Sequence, residues 1–202
     1  MYLDGVCFIT DSTYCDLPLF DMVNNVLKAG VRWVQYREKD LLRRQIFENA
    51  LDLRKLTKNY NAILIINDYA DIALAVGADG VHLGQDDLPL KEAKKIMGSR
   101  IVGISTHDLA QAKEAEFGGA DYIGFGPVFH TTTKDAGVPK GVDNIRKIKE
   151  NVSVPLVAIG GINKDNVASV MSAGADAVAV ATAVCKGDIT ANAEKFVRFF
   201  NK

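Results

Sequence analysis

The 202-residue sequence predicts a single-domain α/β protein with the (β/α)8 TIM-barrel fold, and three observations carry that expectation. A motif of small residues, an Asp and apolar β-formers recurs: GADGVHLG from Gly77, GADYIGFG from Gly119, GADAVAVA from Gly174, and a looser AGVRWVQYR from Ala29. Eight short apolar runs alternate with helix-like stretches over residues 1–202, and no linker, low-complexity tract or long charge run divides them. Short continuous apolar runs read as strands buried on both faces, as in a parallel sheet. Strict alternation with helices puts the helices outside that sheet. Eight such units in about 200 residues fit a closed barrel with short loops. The runner-up, an open doubly wound sheet, usually has fewer strands, and no GxGxxG follows the first strand here.

Taken in order, the strands are expected at 6–10 (VCFIT), 31–35 (VRWVQ), 62–66 (AILII), 79–83 (DGVHL), 101–104 (IVGI), 121–125 (DYIGF), 155–159 (PLVAI) and 177–181 (AVAVA). The Gly that opens each repeat suits the C-terminal end of the preceding helix. Residues 40–60 carry a helical stripe of Leu42, Ile46, Leu53 and Leu56, with Phe47 and Ala50 between. Segments 87–97, 108–118 and 142–152 are also helix-like, 163–174 opens on Asn163 as an N-cap, and 192–202 is amphipathic.

Composition narrows the function. Apolar residues make up 48%, enough for one well-filled domain, and the formal net charge is −1 with no basic stripe, which argues against a nucleic-acid partner. No apolar run reaches the roughly 18 residues of a membrane span. The N-terminal MYLDGVCFITD lacks a cationic n-region, so a cytoplasmic location is expected. Cys7, Cys15 and Cys185 form no CxxC pair, which suits reduced thiols and gives no zinc-type spacing.

In a barrel, the strand C-terminal ends meet at one face, where the site is built. There the sequence collects Gln35, Arg37 and Lys39 after strand two, Asn67-Asp68 after strand three, and Gln85-Asp86-Asp87 after strand four. Ser105, Thr106 and His107 follow strand five, and Thr131, Thr132, Thr133 and Lys134 follow strand six. Gly160-Gly161 and Ala181-Thr182 end strands seven and eight. Asp68 and Asp87, carboxylates on neighbouring strands, suit Mg2+, which takes a few oxygens and shares its remaining positions with waters and phosphate oxygens. Helix N-caps are the ordinary alternative for both. Arg37, Lys39 and Lys134 would grip the same phosphates. The glycine pair and the strand-eight end form a candidate second anion site, where glycine lets the backbone approach closely. His82, inside an apolar strand, reads as a satisfied core histidine; Asp79, Asp121 and Asp176, at the opposite rim, read as structural.

The runs QYREK, IINDYADIALAVGADGVHLGQDD, GISTH, DYIGFGPVFHTTTKDAG and VAIGGIN, in that order, resemble the thiamine-phosphate synthase family over nearly the whole chain. The resemblance implies a (β/α)8 barrel transferase that joins a pyrimidine diphosphate to a thiazole phosphate with Mg2+. It implies small-molecule partners, no nucleic acid and no membrane; a homo-oligomer is compatible with it. By motif position, Asp68 and Asp87 would ligate the metal. Gln35, Arg37, Lys39, Asn67, Ser105 and Lys134 would hold the pyrimidine diphosphate, with Arg37, Lys39, Ser105 and Lys134 carrying the catalytic load. Thr131, Thr133, Gly161, Ala181 and Thr182 would hold the thiazole phosphate. The loop 129–141 is expected to close over the substrates. Tyr36 stands where the family commonly has Leu or Ile. A thiazole tautomerase of the same superfamily is the nearest rival, but its relatives carry a His where Pro127 stands here and lose both carboxylate endings.

Overall fold

The computed structural model describes residues 3–131 and 137–200. Eight parallel strands close into one barrel in sequence order: β1 (Gly5–Ile9), β2 (Trp33–Tyr36), β3 (Ile63–Asn67), β4 (Gly80–Leu83), β5 (Ile101–Thr106), β6 (Tyr122–Phe125), β7 (Leu156–Ile159) and β8 (Ala177–Val180). The seam is a regular pairing, with Gly5 opposite Ala177 and Phe8 opposite Val180. Each strand falls within two residues of its expected bounds.

The outer layer comprises α1 (Leu19–Lys28), α2 (Arg43–Asn59), α3 (Ala70–Ala75), α4 (Leu90–Met97), α5 (Leu109–Phe117), α6 (Val142–Lys149), α7 (Val167–Ser172), α8 (Thr182–Cys185) and α9 (Ile189–Phe200). Helices α1, α3 and α8 were not individually expected. Two details of the helix expectations change. The buried stripe of α2 is Ile46, Ala50, Leu53 and Thr57, whereas Leu42 is its exposed N-cap residue. Asn163 does not cap α7 directly; its side chain accepts from the Asp165 amide at 2.9 Å and closes a turn ahead of the helix.

The apolar side chains separate into layers. Val34, Leu64, Ile66, Val81 and Val102 point outward onto α2, α3 and α4. Cys7, Ile9, Trp33, Ile65, Tyr122, Val157, Ala177 and Ala179 fill the interior. Two glycines make room there: a Cβ at Gly103 would lie 2.1 Å from the Tyr122 ring, and one at Gly124 would lie 3.0 Å from His82. Tyr122 then packs edge-on to Trp33, ring centroids 5.2 Å apart, and stacks on His82 at 5.4 Å.

The repeated Asp does the same task three times at the base. Asp79 accepts from the Leu64 amide at 2.8 Å and takes Arg54 of α2 bidentately, at 2.7 and 3.0 Å. Asp121 accepts from the Val102 amide at 2.7 Å and Lys94 of α4 at 2.9 Å. Asp176 accepts from the Leu156 amide at 2.7 Å and Lys149 of α6 at 2.8 Å. Each carboxylate ties an even strand to the odd strand before it and to the helix before that. The looser repeat has Arg32 instead, which donates to the carbonyls of Leu27 and Val31 at 2.9 and 2.8 Å.

Candidate active site

The strand ends deliver two adjoining groups of side chains to the opposite rim. The first is a hydrogen-bonded chain across β2, β3 and β4. Gln35, only 5% exposed, donates its Nε2 to Asn67 Oδ1 at 2.7 Å. Asn67 donates its Nδ2 to Asp68, and Lys39 Nζ pairs with the other Asp68 oxygen. Asp68 has left-handed backbone, φ 66°, which Asp tolerates better than most residues. Its amide extends the ladder to the His82 carbonyl at 2.8 Å, and its side chain turns to the mouth. Across from it, Asp87 accepts the Gly84 amide at 2.6 Å. Neither carboxylate caps a helix: Tyr69 and Pro89 precede α3 and α4.

The two carboxyls are close enough to hydrogen-bond one another, and their acidities diverge. Burial pushes Asp87 up, the Gly84 amide opposes it, and the bond to Asp68 and that group's charge add to the rise. Burial pushes Asp68 the same way. The Lys39 ammonium, the bond from Asp87 and the Asn67 amide outweigh that and hold it below the usual range. Among the described residues no cluster of three or more His, Cys, Asp or Glu forms a metal site. A pair of hard oxygen donors with a lysine as counter-ion therefore fits a cation that keeps waters and borrows phosphate oxygens, as Mg2+ does, and not a fully protein-caged ion.

The second group lines a cavity of about 300 Å3 that includes Asp11, Arg37, Ser105, His107, Thr131, Lys140, Gly160, Gly161, Ala181 and Thr182. Gly160 and Gly161 have φ of 96° and 66°. A Cβ on Gly161 would meet the His130 carbonyl at 2.4 Å, so only glycine fits this approach. Phe129 donates its amide to the Gly160 carbonyl at 3.0 Å, and Lys140 donates to the Pro127 carbonyl at 2.8 Å. Segment 127–129 is thus clasped between the strand-seven end and the chain returning from the Thr-rich loop.

Ser105 links the two groups. Its carbonyl accepts Gln85 Nε2 at 2.6 Å, so Gln85 serves the backbone and not the carboxylate pair. Its hydroxyl lies 2.9 Å from His82 Nε2, and His82 Nδ1 lies 2.9 Å from the Tyr122 hydroxyl. Burial holds the Tyr122 phenol well above its ordinary pKa, so it stays protonated and is able to donate to Nδ1. In the tautomer where the phenol donates, His82 Nε2 carries the hydrogen and donates to the Ser105 hydroxyl oxygen. In that tautomer the Ser105 hydroxyl hydrogen is left to donate to a ligand. His82 is therefore a satisfied interior histidine that orients a mouth residue.

Of the expected site residues, the structure brings Arg37, Ser105, Thr131, Gly161, Ala181 and Thr182 around the cavity, and Gln35, Lys39, Asn67, Asp68 and Asp87 into the chain beside it. Thr133 and Lys134, and with them the expected loop closure, lie outside the described residues. Sequence reasoning missed Asp11, a 6% exposed carboxylate whose Oδ2 is 3.9 Å from Arg37 Nη1. The run VCFITD carried the signal, since it ends in a carboxylate as AILIIND does. Tyr36, unusual at its position, is buried with its hydroxyl accepting from Asn49 Nδ2 at 3.1 Å, and burial raises its pKa to about 12.

The chain is similar to known proteins over most of its length. The family model described as thiamine monophosphate synthase matches residues 6–184. A thiamine-phosphate synthase of Chloroflexus aurantiacus is 50% identical over 176 residues, 86% of this chain and 82% of that protein. One of Clostridium novyi is 44% identical over 190 residues, 93% of each. The structure of thiamine phosphate pyrophosphorylase from Pyrococcus furiosus matches with a TM-score of 0.89 and 40% identity, covering 97% of this chain and 94% of that one. At 16% identity and a TM-score of 0.74, 3-hexulose-6-phosphate synthase shares the fold alone, over 96% of this chain and 98% of its own. The run from the first strand to the short helix after the eighth thus matches that family throughout, and the chain belongs to the thiamine monophosphate synthase family.

Proposed function

We propose that this enzyme is a thiamine-phosphate synthase, a transferase that joins the methylene carbon of an aminopyrimidine methyl diphosphate to the nitrogen of a thiazole phosphate, releasing pyrophosphate. The observation that carries this reading is the adjacency of two anion sites of different kinds. One is a carboxylate pair with a cation beside it, Asp68 and Asp87 with Lys39. The other is a glycine-lined cavity with Gly160 and Gly161 in backbone that only glycine adopts there. A diphosphate with its metal suits the first, and a monophosphate held by backbone N–H groups suits the second.

Asp68 and Asp87 would hold Mg2+, which when bound supplies Lewis-acid stabilisation of a leaving diphosphate. Arg37, Lys39 and Lys134 neutralise the charge that accumulates on the departing pyrophosphate, the step where preorganised cations contribute most. Gln35, Asn67 and Ser105 hold the first substrate, with the Ser105 hydroxyl oriented through His82. Thr131, Thr133, Gly161, Ala181 and Thr182 hold the second substrate's phosphate and set its nitrogen in line with the carbon being released. An electron-rich aminopyrimidine stabilises a cation at that carbon, so departure precedes attack and the walls of the cavity keep water away. No protein nucleophile is needed, and burial pushes the Cys7 and Cys185 thiols up so that both stay protonated.

The test is direct. Purified protein is mixed with the pyrimidine diphosphate, the thiazole phosphate and Mg2+, and pyrophosphate and thiamine phosphate are measured, with EDTA as control. Both products appear together and EDTA abolishes them; a protein that converts neither substrate refutes the assignment.

A further inference from the structure

We propose that Asp11 is a positioning residue: its buried carboxylate holds the Arg37 guanidinium in the orientation that grips the diphosphate, an inference that rests on the role of Arg37 proposed above. Asp11 follows β1 and is 6% exposed, yet it lines the cavity together with Arg37. One oxygen, Oδ1, accepts the Thr13 amide at 3.0 Å, so the carboxylate is fixed by its own loop. The other, Oδ2, faces Arg37 Nη1 at 3.9 Å. The backbone of Arg37 is tied to the same strand end. Its amide donates to Thr10 Oγ1 at 3.0 Å, the Thr10 hydroxyl reaches the Arg37 carbonyl at 3.2 Å, and the Thr10 amide donates to the Gln35 carbonyl at 3.0 Å. Thr10 therefore holds the Arg37 main chain by hydrogen bonds, and Asp11 faces its head group as an ion-pair partner at 3.9 Å.

The charge argument runs the same way. A buried carboxylate at the mouth of a site for two anions is unfavourable in itself, through desolvation and repulsion. It becomes useful when it engages one edge of a guanidinium. The planar fork has five donors, so an edge held by Asp11 leaves the other for phosphate oxygens and removes the freedom Arg37 would lose on binding. Simple repulsion and positioning predict opposite signs when the charge is removed: repulsion alone would make Asp11→Asn bind the diphosphate more tightly, and positioning makes it bind more weakly.

The experiment is a double-mutant cycle on the full chain with Asp11→Asn, Arg37→Met and the double variant. KM is measured for each substrate alongside kcat, pyrophosphate binding is measured by calorimetry with Mg2+, and thermal unfolding serves as the folding control. Asp11→Asn is expected to raise KM for the pyrimidine diphosphate about tenfold and weaken pyrophosphate binding by a similar factor, as losing the charge partner of a phosphate-binding Arg does. KM for the thiazole phosphate rises less than KM for the diphosphate, and Asp11→Asn adds nothing in the Arg37→Met background. If Asp11→Asn does not fold, Asp11→Glu keeps the charge but moves it by one methylene, and the same loss, again masked by Arg37→Met, is expected. Unchanged or tighter diphosphate binding in the Asp11 variant, or an undiminished effect without Arg37, overturns the inference. Wild-type diphosphate affinity in Arg37→Met overturns it together with the role of Arg37. A wild-type protein that makes no thiamine phosphate overturns the proposed function and takes the inference with it.

Discussion

Asp68 and Asp87 are the residues on which the proposed chemistry turns, and their surroundings push their acidities in opposite directions. Asp87 is kept above the ordinary carboxylate range, chiefly by burial, and Asp68 below it. A metal requires both ionised, so protons and Mg2+ compete for Asp87, whose affinity for a proton is raised. The sign follows: lowering the pH through the raised Asp87 value weakens Mg2+ binding. Calorimetric titration near pH 8 and near pH 5, in buffers of differing ionisation enthalpy, is expected to show weaker binding at the acid end, with more proton release there than near pH 8. Asp68→Asn and Asp87→Asn should each lower Mg2+-dependent kcat by about two orders of magnitude or more, since several kcal/mol of charge stabilisation are removed. Circular dichroism checks that they fold. Both carboxylates were legible in the sequence because each follows an apolar run that ends in an amide, Asn67 directly before Asp68 and Gln85 two residues before Asp87. Asp11 was equally marked by its run, but its meaning depends on Arg37, a partner on the next strand that only the closed sheet brings near.

Among the elements, the sequence identified every strand, since each is four to six residues of apolar β-formers. Helices α3 and α8, six and four residues long, offer too few turns for a periodic signal. Helix α7 starts later than Asn163 implies because the chain first makes a turn. The three basal carboxylates give the sharpest prediction at this scale. Asp79 and Arg54 form the most buried of these pairs, with side chains 21% and 15% exposed, against 39% and 29% for Asp121 and Lys94. Arg54 Nε is already buried without a partner. Asp79→Ala would leave the guanidinium and the Leu64 amide unpaired, at a cost of about 3 kcal/mol. Asp121→Ala and Asp176→Ala should cost about 1 kcal/mol each. Urea denaturation reads the ranking, and equal losses at all three positions would contradict it.

For the molecule as a whole, ligand occupancy at the mouth should appear as stability of the entire barrel, because strands from β1 to β8 contribute to one closed sheet. Mg2+ with pyrophosphate at about a hundred times its dissociation constant should add about 2.7 kcal/mol, which for a chain of this size raises Tm by roughly 5–11 °C. Differential scanning calorimetry with each component alone and both together tests this. The combination should exceed the sum of its parts if the metal is completed by phosphate oxygens.

The carboxylate clasps of the GAD repeats sit at the end of the cylinder remote from the mouth, and each uses only backbone amides and helix cations that no proposed substrate touches. Frame and chemistry are thereby anchored at opposite poles. Loops at the mouth can be rewritten for a different pair of phosphorylated reactants while the rivets at the foot keep the same staves in the same order, so that evolution, or an engineer, can alter what the vessel holds without rebuilding the vessel.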